Sequence, residues 1–253
     1  MEAISIVPTQ HLHLTGHQKY HLVLAQAIGK DQIYTGFYRE RSKNQDYIIL
    51  DNGSAEGERV SMQELHEKAQ EIGASELVLP DEFFDSVKTM WLAQDCLGYL
   101  YREGWEGNIM AVPQGRDLTE WTDCALNLLN TNMIDCIGVP KNLVHTAGWF
   151  GRVKAIQRLE EVAKEFRGKI KYHLLGCWLD PREVGVLHHV FYDVIRTVDS
   201  RLAYLYTANG LVLDPNEHNK PHKKEMPFSA VVDEQLLEKN IERWEEYCYG
   251  RLW

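Results

Sequence analysis

The hydrophobic positions of this chain fall into short unbroken runs separated by longer stretches with a helical period. The runs are YIILD (47–51), ELVLPD (76–81), NIMAVPQG (108–115), MIDCIGVP (133–140), IKYHLLG (170–176) and DVIRTVDS (193–200). Each is too short for a buried helix and ends in a polar residue, a proline or a glycine, as a strand covered on both faces does. The stretches between them repeat apolar residues at helical spacing: Ser61–Ile72, opened by the capping box Ser61-Met62-Gln63-Glu64, then Phe84–Tyr101, Leu118–Leu129, Phe150–Phe166 and Pro181–Phe191. Strands alternating with helices of this length predict βαβ units on a parallel sheet. Two further strands are expected at Ile4–Val7 and Tyr20–Ile28, bringing the count to about eight, the number a closed barrel needs.

The predicted fold class is therefore α/β, a (β/α)8 TIM barrel in a single domain over residues 1–253. N-terminal strands occupy 1–45, the barrel core 46–212, and a polar loop with a closing amphipathic helix (Asp233–Tyr247) the remainder, 213–253. An open doubly wound sheet is the alternative. No GxGxxG follows a strand and no GxxxxGK[ST] occurs, which removes the usual nucleotide-binding fingerprints.

Composition narrows the picture modestly. A hydrophobic share of 44% over 253 residues supports a sizeable core. No apolar run approaches the roughly 20 residues that span a bilayer, and the N-terminus shows no secretory-signal pattern, so no membrane partner and a cytoplasmic location are expected. The cysteines, Cys96, Cys124, Cys136, Cys177 and Cys248, are scattered and never in CxxC spacing; they read as small core hydrophobes, and no metal site is expected of them. A net charge of -10 argues against indiscriminate nucleic-acid binding but leaves local basic faces open. One runs from Lys141 to Lys171 and includes Arg152 and Lys154; another holds Lys220, Lys223 and Lys224. Solvated surface is the plain reading of both.

In parallel α/β folds the chemistry gathers at the C-terminal ends of strands. Those ends carry Asp51, Asp81, Gln114-Gly115, Gly138, Gly176 and Asp199-Ser200. Carboxylates dominate and histidines are missing, which disfavours a metal hydrolase of the amidohydrolase kind. Converging carboxylates suit an acetal carbon: one attacks C1′ of a sugar while a second serves as acid or base. A third can accept N–H groups of a purine-like base, with an amide and a backbone N–H meeting its carbonyl. Helix caps for the aspartates and simple turns for the glycines are the competing readings.

The ordered series DNG, LPD, VPQG, IGVP, LLG and VDS over residues 45–210 resembles the tRNA-guanine transglycosylase superfamily. Its barrels carry a DSGG-like turn, a D-E strand end, a V-Q-G strand end, a GLAVGE-like strand, an L-M-G strand and an F-D-C strand in that order. The resemblance implies that Asp199 is the nucleophile and Asp51 the general acid/base. It makes Asp81, Gln114, Gly115, Gly138 and Gly176 the base-binding set. The DSGGFQ turn is DNGSAE here, GLAVGE is IGVPKN, and the CxCxxC…H zinc motif of the tRNA enzymes is absent from the sequence. In this the chain resembles the phage DpdA-type relatives, and a phage-encoded protein would act in the host cytoplasm.

What this implies is exchange of guanine in a polynucleotide, DNA favoured over tRNA, for a 7-deazaguanine base such as preQ0. No cofactor is implied, and self-association is left open. Lys141, Arg152, Lys154, Lys223 and Lys224 are the candidate contacts to the nucleic-acid backbone. A nucleoside-level N-glycosidase or base exchanger, and a non-catalytic binding subunit, are the alternatives.

Overall fold

The computed structural model describes residues 1–54, 57, 59–148, 150–166, 169–177, 181–214, 221–222, 227 and 229–251. The strands are β1 (Glu2–Ser5), β2 (Tyr20–Leu24), β3 (Tyr47–Asp51), β4 (Glu76–Val78), β5 (Asn108–Ala111), β6 (Cys136–Pro140), β7 (Lys171–Leu175) and β8 (Ile195–Ser200). They form one eight-stranded sheet in the order β1-β8-β7-β6-β5-β4-β3-β2. Pairing is parallel between β1 and β8, β3 and β4, β4 and β5, and β5 and β6. The helices are α1 (Gln32–Lys43), α2 (Met62–Ile72), α3 (Ser86–Arg102), α4 (Leu118–Leu129), α5 (Leu143–Ala147), α6 (Gly151–Val162), α7 (Arg182–Phe191), α8 (Leu202–Thr207) and α9 (Glu234–Cys248). Strand order and alternation with helices are those of a (β/α)8 barrel, the fold class the hydrophobic pattern predicts. Among the described residues, no helix is long and apolar enough to cross a membrane.

The chain divides into two compact units, residues 22–173 and residues 1–21 with 174–253; the boundaries fall inside β2 and β7. In the first unit Ile48, Ile49 and Leu50 are all buried, as are Leu77, Val78, Met110, Ile137 and Val139. Consecutive burial is why these strands read as unbroken apolar runs. Helices here start where a short polar side chain can take a first-turn N–H: Asp31, Ser61, Asp85 and Asp117 cap α1, α2, α3 and α4. That is why α3 begins at Ser86 and not at the expected Phe84: Asp85 caps it, and Phe84 has a φ of 62°.

In the second unit α9 packs on α8, on β1 and on α7. Its buried face holds Leu237, Ile241 and Trp244, and the Trp244 indole donates to the Ile4 carbonyl at 3.3 Å. Buried Asn240 donates to Thr207 Oγ1 and the Leu211 carbonyl, both at 2.9 Å, and accepts from the Leu213 N–H at 2.7 Å. A polar core residue on α9 thus ties down the chain that follows α8.

Differences from the sequence expectation cluster in the first 45 residues and at helix ends. Strand β1 sits two residues earlier than Ile4–Val7, and β2 stops at Leu24, where the Tyr34 hydroxyl accepts the Leu24 N–H at 3.0 Å and a 3-10 turn (Ala25–Ala27) begins. Helix α1 stands in a region expected to hold strands only. Helix α6 stops at Val162, and a separate 3-10 turn covers Lys164–Phe166.

Candidate active site

Each predicted strand-end residue has a definite local setting. Strand β3 ends at Asp51, half-buried, whose Oδ2 accepts the Gly53 N–H at 3.2 Å. Gly53 has a φ of 79°, a left-handed backbone that a residue without Cβ adopts freely. Asn52 is the latch of this turn: its Nδ2 donates to the carbonyls of Val78 (3.3 Å) and Leu79 (2.9 Å), and its Oδ1 accepts the Ser54 N–H at 2.7 Å. The β3 turn is thereby fastened to the end of β4. Ser61 caps α2, so Asp51 is not a helix cap. Glu56 and Glu58, later in the same turn, lie outside the described residues.

Beyond β4, Asp81 is buried, and its Oδ2 accepts the Gln114 Nε2 at 2.6 Å. It is no cap either, since Asp85 takes that role for α3. Arg59 donates from Nη2 to the Asp81 carbonyl and from Nε to Ser54 Oγ at 3.0 Å, bridging the β3–α2 and β4–α3 connections. Burial raises the Asp81 carboxyl to about 6, against the opposing pull of the Gln114 hydrogen bond and the Arg59 charge. Gln114, after β5, is buried, and its Oε1 accepts the Phe84 N–H at 3.4 Å. Asp81 and Gln114 thus form a carboxyl–amide pair in which each fixes the other's orientation. Beside it, Gly115 serves close packing: a Cβ there would sit 2.4 Å from the backbone nitrogen of Trp121 on α4.

The ionisation of Asp81 has a stability consequence. A carboxyl lifted above its ordinary value is disfavoured as the anion in the folded state, so folding loses stability as pH rises from about 4 to 6 and stays lower above that. The expected loss is about 3 kcal/mol, at ~1.4 kcal/mol per tenfold change in ionisation constant. Asp81→Asn should therefore be more stable than wild type to urea at pH 7.5 and indistinguishable from it at pH 4. An equal gain at both pH values would show that ionisation is not the cause.

In the second unit, Asp199 is the penultimate residue of β8, opposite Ile4 of β1 in the parallel register. It is buried, and its Oδ1 accepts the Gly176 N–H at 2.8 Å, so the residue just after β7 orients the β8 carboxylate. Ser200, next in the chain, uses its Oγ to accept the Leu202 N–H at 3.0 Å at the start of α8. Gly138 differs from its predicted place: it is the middle residue of β6, buried within the strand.

The basic candidates separate clearly. Arg152 is 1% exposed, a core cation at the start of α6 and not a surface contact. Lys141 is half-buried just after β6, and Lys154 is exposed, donating to the Ala147 carbonyl at 2.8 Å. Lys220, Lys223 and Lys224 lie outside the described residues. Among the described residues, no group of three or more His, Cys, Asp or Glu side chains could hold a metal ion, and all five cysteines are buried free thiols.

Within the first unit the structure brings together Asp51, Asn52, Asp81 and Gln114 through the latch, the Arg59 bridge and the carboxyl–amide pair. Within the second it brings together Gly176 and Asp199. Asn52 belongs to the DNG turn motif, though nothing in that motif announces its reach to β4, and Arg59 carries no motif of its own. In comparison with known proteins, the chain matches no protein-family model and no curated protein. The class that can be stated is a (β/α)8 barrel with acidic strand ends.

Proposed function

We propose that the protein is a base-exchanging N-glycosyltransferase acting on guanine in a polynucleotide, with DNA favoured over tRNA, and installing a 7-deazaguanine base. The observation that carries the reading is Asp199, a buried carboxylate at the end of β8 held at 2.8 Å by the Gly176 N–H. A carboxylate fixed by the backbone is suited to attack at an anomeric carbon. In the reaction, Asp199 forms a bond to C1′ as the C1′–N9 bond of guanine breaks, and Asp51 delivers the proton that guanine takes up on leaving. The incoming base then loses its N9 proton to Asp51, and its nitrogen displaces Asp199 from C1′. Two displacements preserve the anomeric configuration.

The Asp81–Gln114 pair supports base recognition. A carboxyl accepting N–H groups beside an amide matches the edge of a guanine-like ring. The reacting nucleotide has to leave the base stack, so single-stranded or flipped sites are the substrates. Lys141, at the end of β6, is the candidate among the described cations for a phosphate contact there.

The test offers labelled guanine and labelled preQ0 with DNA and with tRNA in separate reactions. Label entering either polymer supports the reading, and the polymer that takes it up identifies the substrate. Release of free guanine without incorporation would mean an N-glycosidase, and neither outcome would remove the proposal.

A further inference from the structure

The outer surface of the first unit carries two features that the base-exchange reading does not use. The first is a groove of about 430 Å³ between α3 and α4, with Val87, Met90 and Trp91 on one side and Glu120, Asp123 and Asn127 on the other. Val87 is 78% and Trp91 65% exposed, unusual for large apolar side chains so close together. Asp95 extends the Val87–Trp91 ridge at the same four-residue spacing and is exposed. Glu120 is already neutralised by Arg116 at 2.9 Å, whereas neither Asp95 nor Asp123 has an ion pair among the described residues. The groove is therefore apolar along its α3 wall and carries the Asp123 carboxylate on its α4 wall, with Asp95 continuing the α3 ridge beyond it.

The second feature is a stripe on α6 and the residue before it: Phe150, Lys154, Arg158 and Val162, again four apart and all exposed. Phe150 is 51% and Val162 39% exposed, and between them stand two cations. Helix α4 packs against both α3 and α6, so groove and stripe border the same helix. Both ridges are of the i±4n kind, which interdigitate in the commonest helix-packing class.

We propose that this face is a homodimer interface in which the α3–α4 groove of one copy receives the α6 stripe of the other, and the reverse. A two-fold axis needs a surface complementary to itself. This face supplies apolar residues for apolar residues and uncompensated carboxylates for lysine and arginine. The proposal is independent of the chemistry assigned to the strand ends.

Two charge-reversed variants test it, Asp95→Lys with Asp123→Lys, and Lys154→Glu with Arg158→Glu. Molecular mass is followed by sedimentation across a concentration series. Wild type should dimerise, each variant alone should dissociate at least tenfold more readily, and an equimolar mixture should dimerise again, because each reversed wall then meets a reversed stripe. Recovery on mixing also demonstrates that both variants are folded. A wild type that is monomeric throughout, or variants that dimerise unimpaired, would overturn the proposal. So would a monomeric wild type whose binding to single-stranded DNA is lost in the Lys154→Glu, Arg158→Glu variant, which would assign the stripe to nucleic acid.

Discussion

Asp199→Asn should lower base exchange by on the order of 10³-fold or more while leaving the protein folded. The substitution removes the proposed nucleophile but keeps an oxygen that can accept the Gly176 N–H, now met by Asp199 Oδ1 at 2.8 Å. Asp199→Ala should be equally inactive but also less stable, by about 1–3 kcal/mol, because it leaves a backbone donor without its acceptor. The pair of variants thus separates chemistry from packing. A covalent adduct trapped with a labelled oligonucleotide should form with wild type, be absent from both variants, and map to Asp199. Exchange at the wild-type rate by Asp199→Asn would remove Asp199 as the nucleophile. A trapped adduct on Asp51 in its place would reverse the two carboxylate roles and keep the two-displacement chemistry.

The barrel was legible because its strands are buried on both faces. YIILD marks β3, and Leu118–Leu129 marks α4, residue for residue, since burial at Ile48, Ile49 and Leu50 leaves no polar position to blur the run. Helix α1 is not legible in the sequence because its buried face is Tyr34, Thr35 and Tyr38, aromatic and β-branched residues whose spacing also suits a strand. Helix α8, with all six residues buried, has no amphipathic period to read. The strand-end carboxylates could be named from position alone, but their settings could not. Nothing local in the sequence announces that Gln114 meets Asp81 from 33 residues away, that Asn52 reaches across to Leu79, or that Arg59 rests on the Asp81 carbonyl. The basic run read along the chain as one surface, yet the α6 period turns Arg152 into the core and Lys154 outward. Charge along a sequence is not charge on a face until the helical phase is known.

Trp244→Ala should cost about 3–5 kcal/mol, a large part of the 5–15 kcal/mol that holds an ordinary domain together. The indole is fully buried on the inner face of α9, and removing it opens a cavity and deprives the Ile4 carbonyl of its donor at 3.3 Å. The melting temperature should fall by roughly 10 °C, given about 2–4 °C per kcal/mol for a chain of this size. Trp244→Phe retains most of the apolar volume and loses the N–H, so its cost should be smaller, about 1–2 kcal/mol. Tyr101→Ala, at an exposed position on α3, provides the contrast and should change stability by no more than about 0.5 kcal/mol. The effect should reach the site as well. Ile4 lies opposite Asp199 in the β1–β8 register, so the carbonyl that Trp244 holds belongs to the strand against which the strand of the proposed nucleophile is aligned. Loosening that contact should reduce base exchange by about tenfold at temperatures where Trp244→Ala is still folded, since small misplacement of a reacting group is costly. A variant within 1 kcal/mol of wild type in urea would mean that α9 lies on the fold without supporting it. One that is destabilised but fully active would mean that Asp199 is positioned independently of α9.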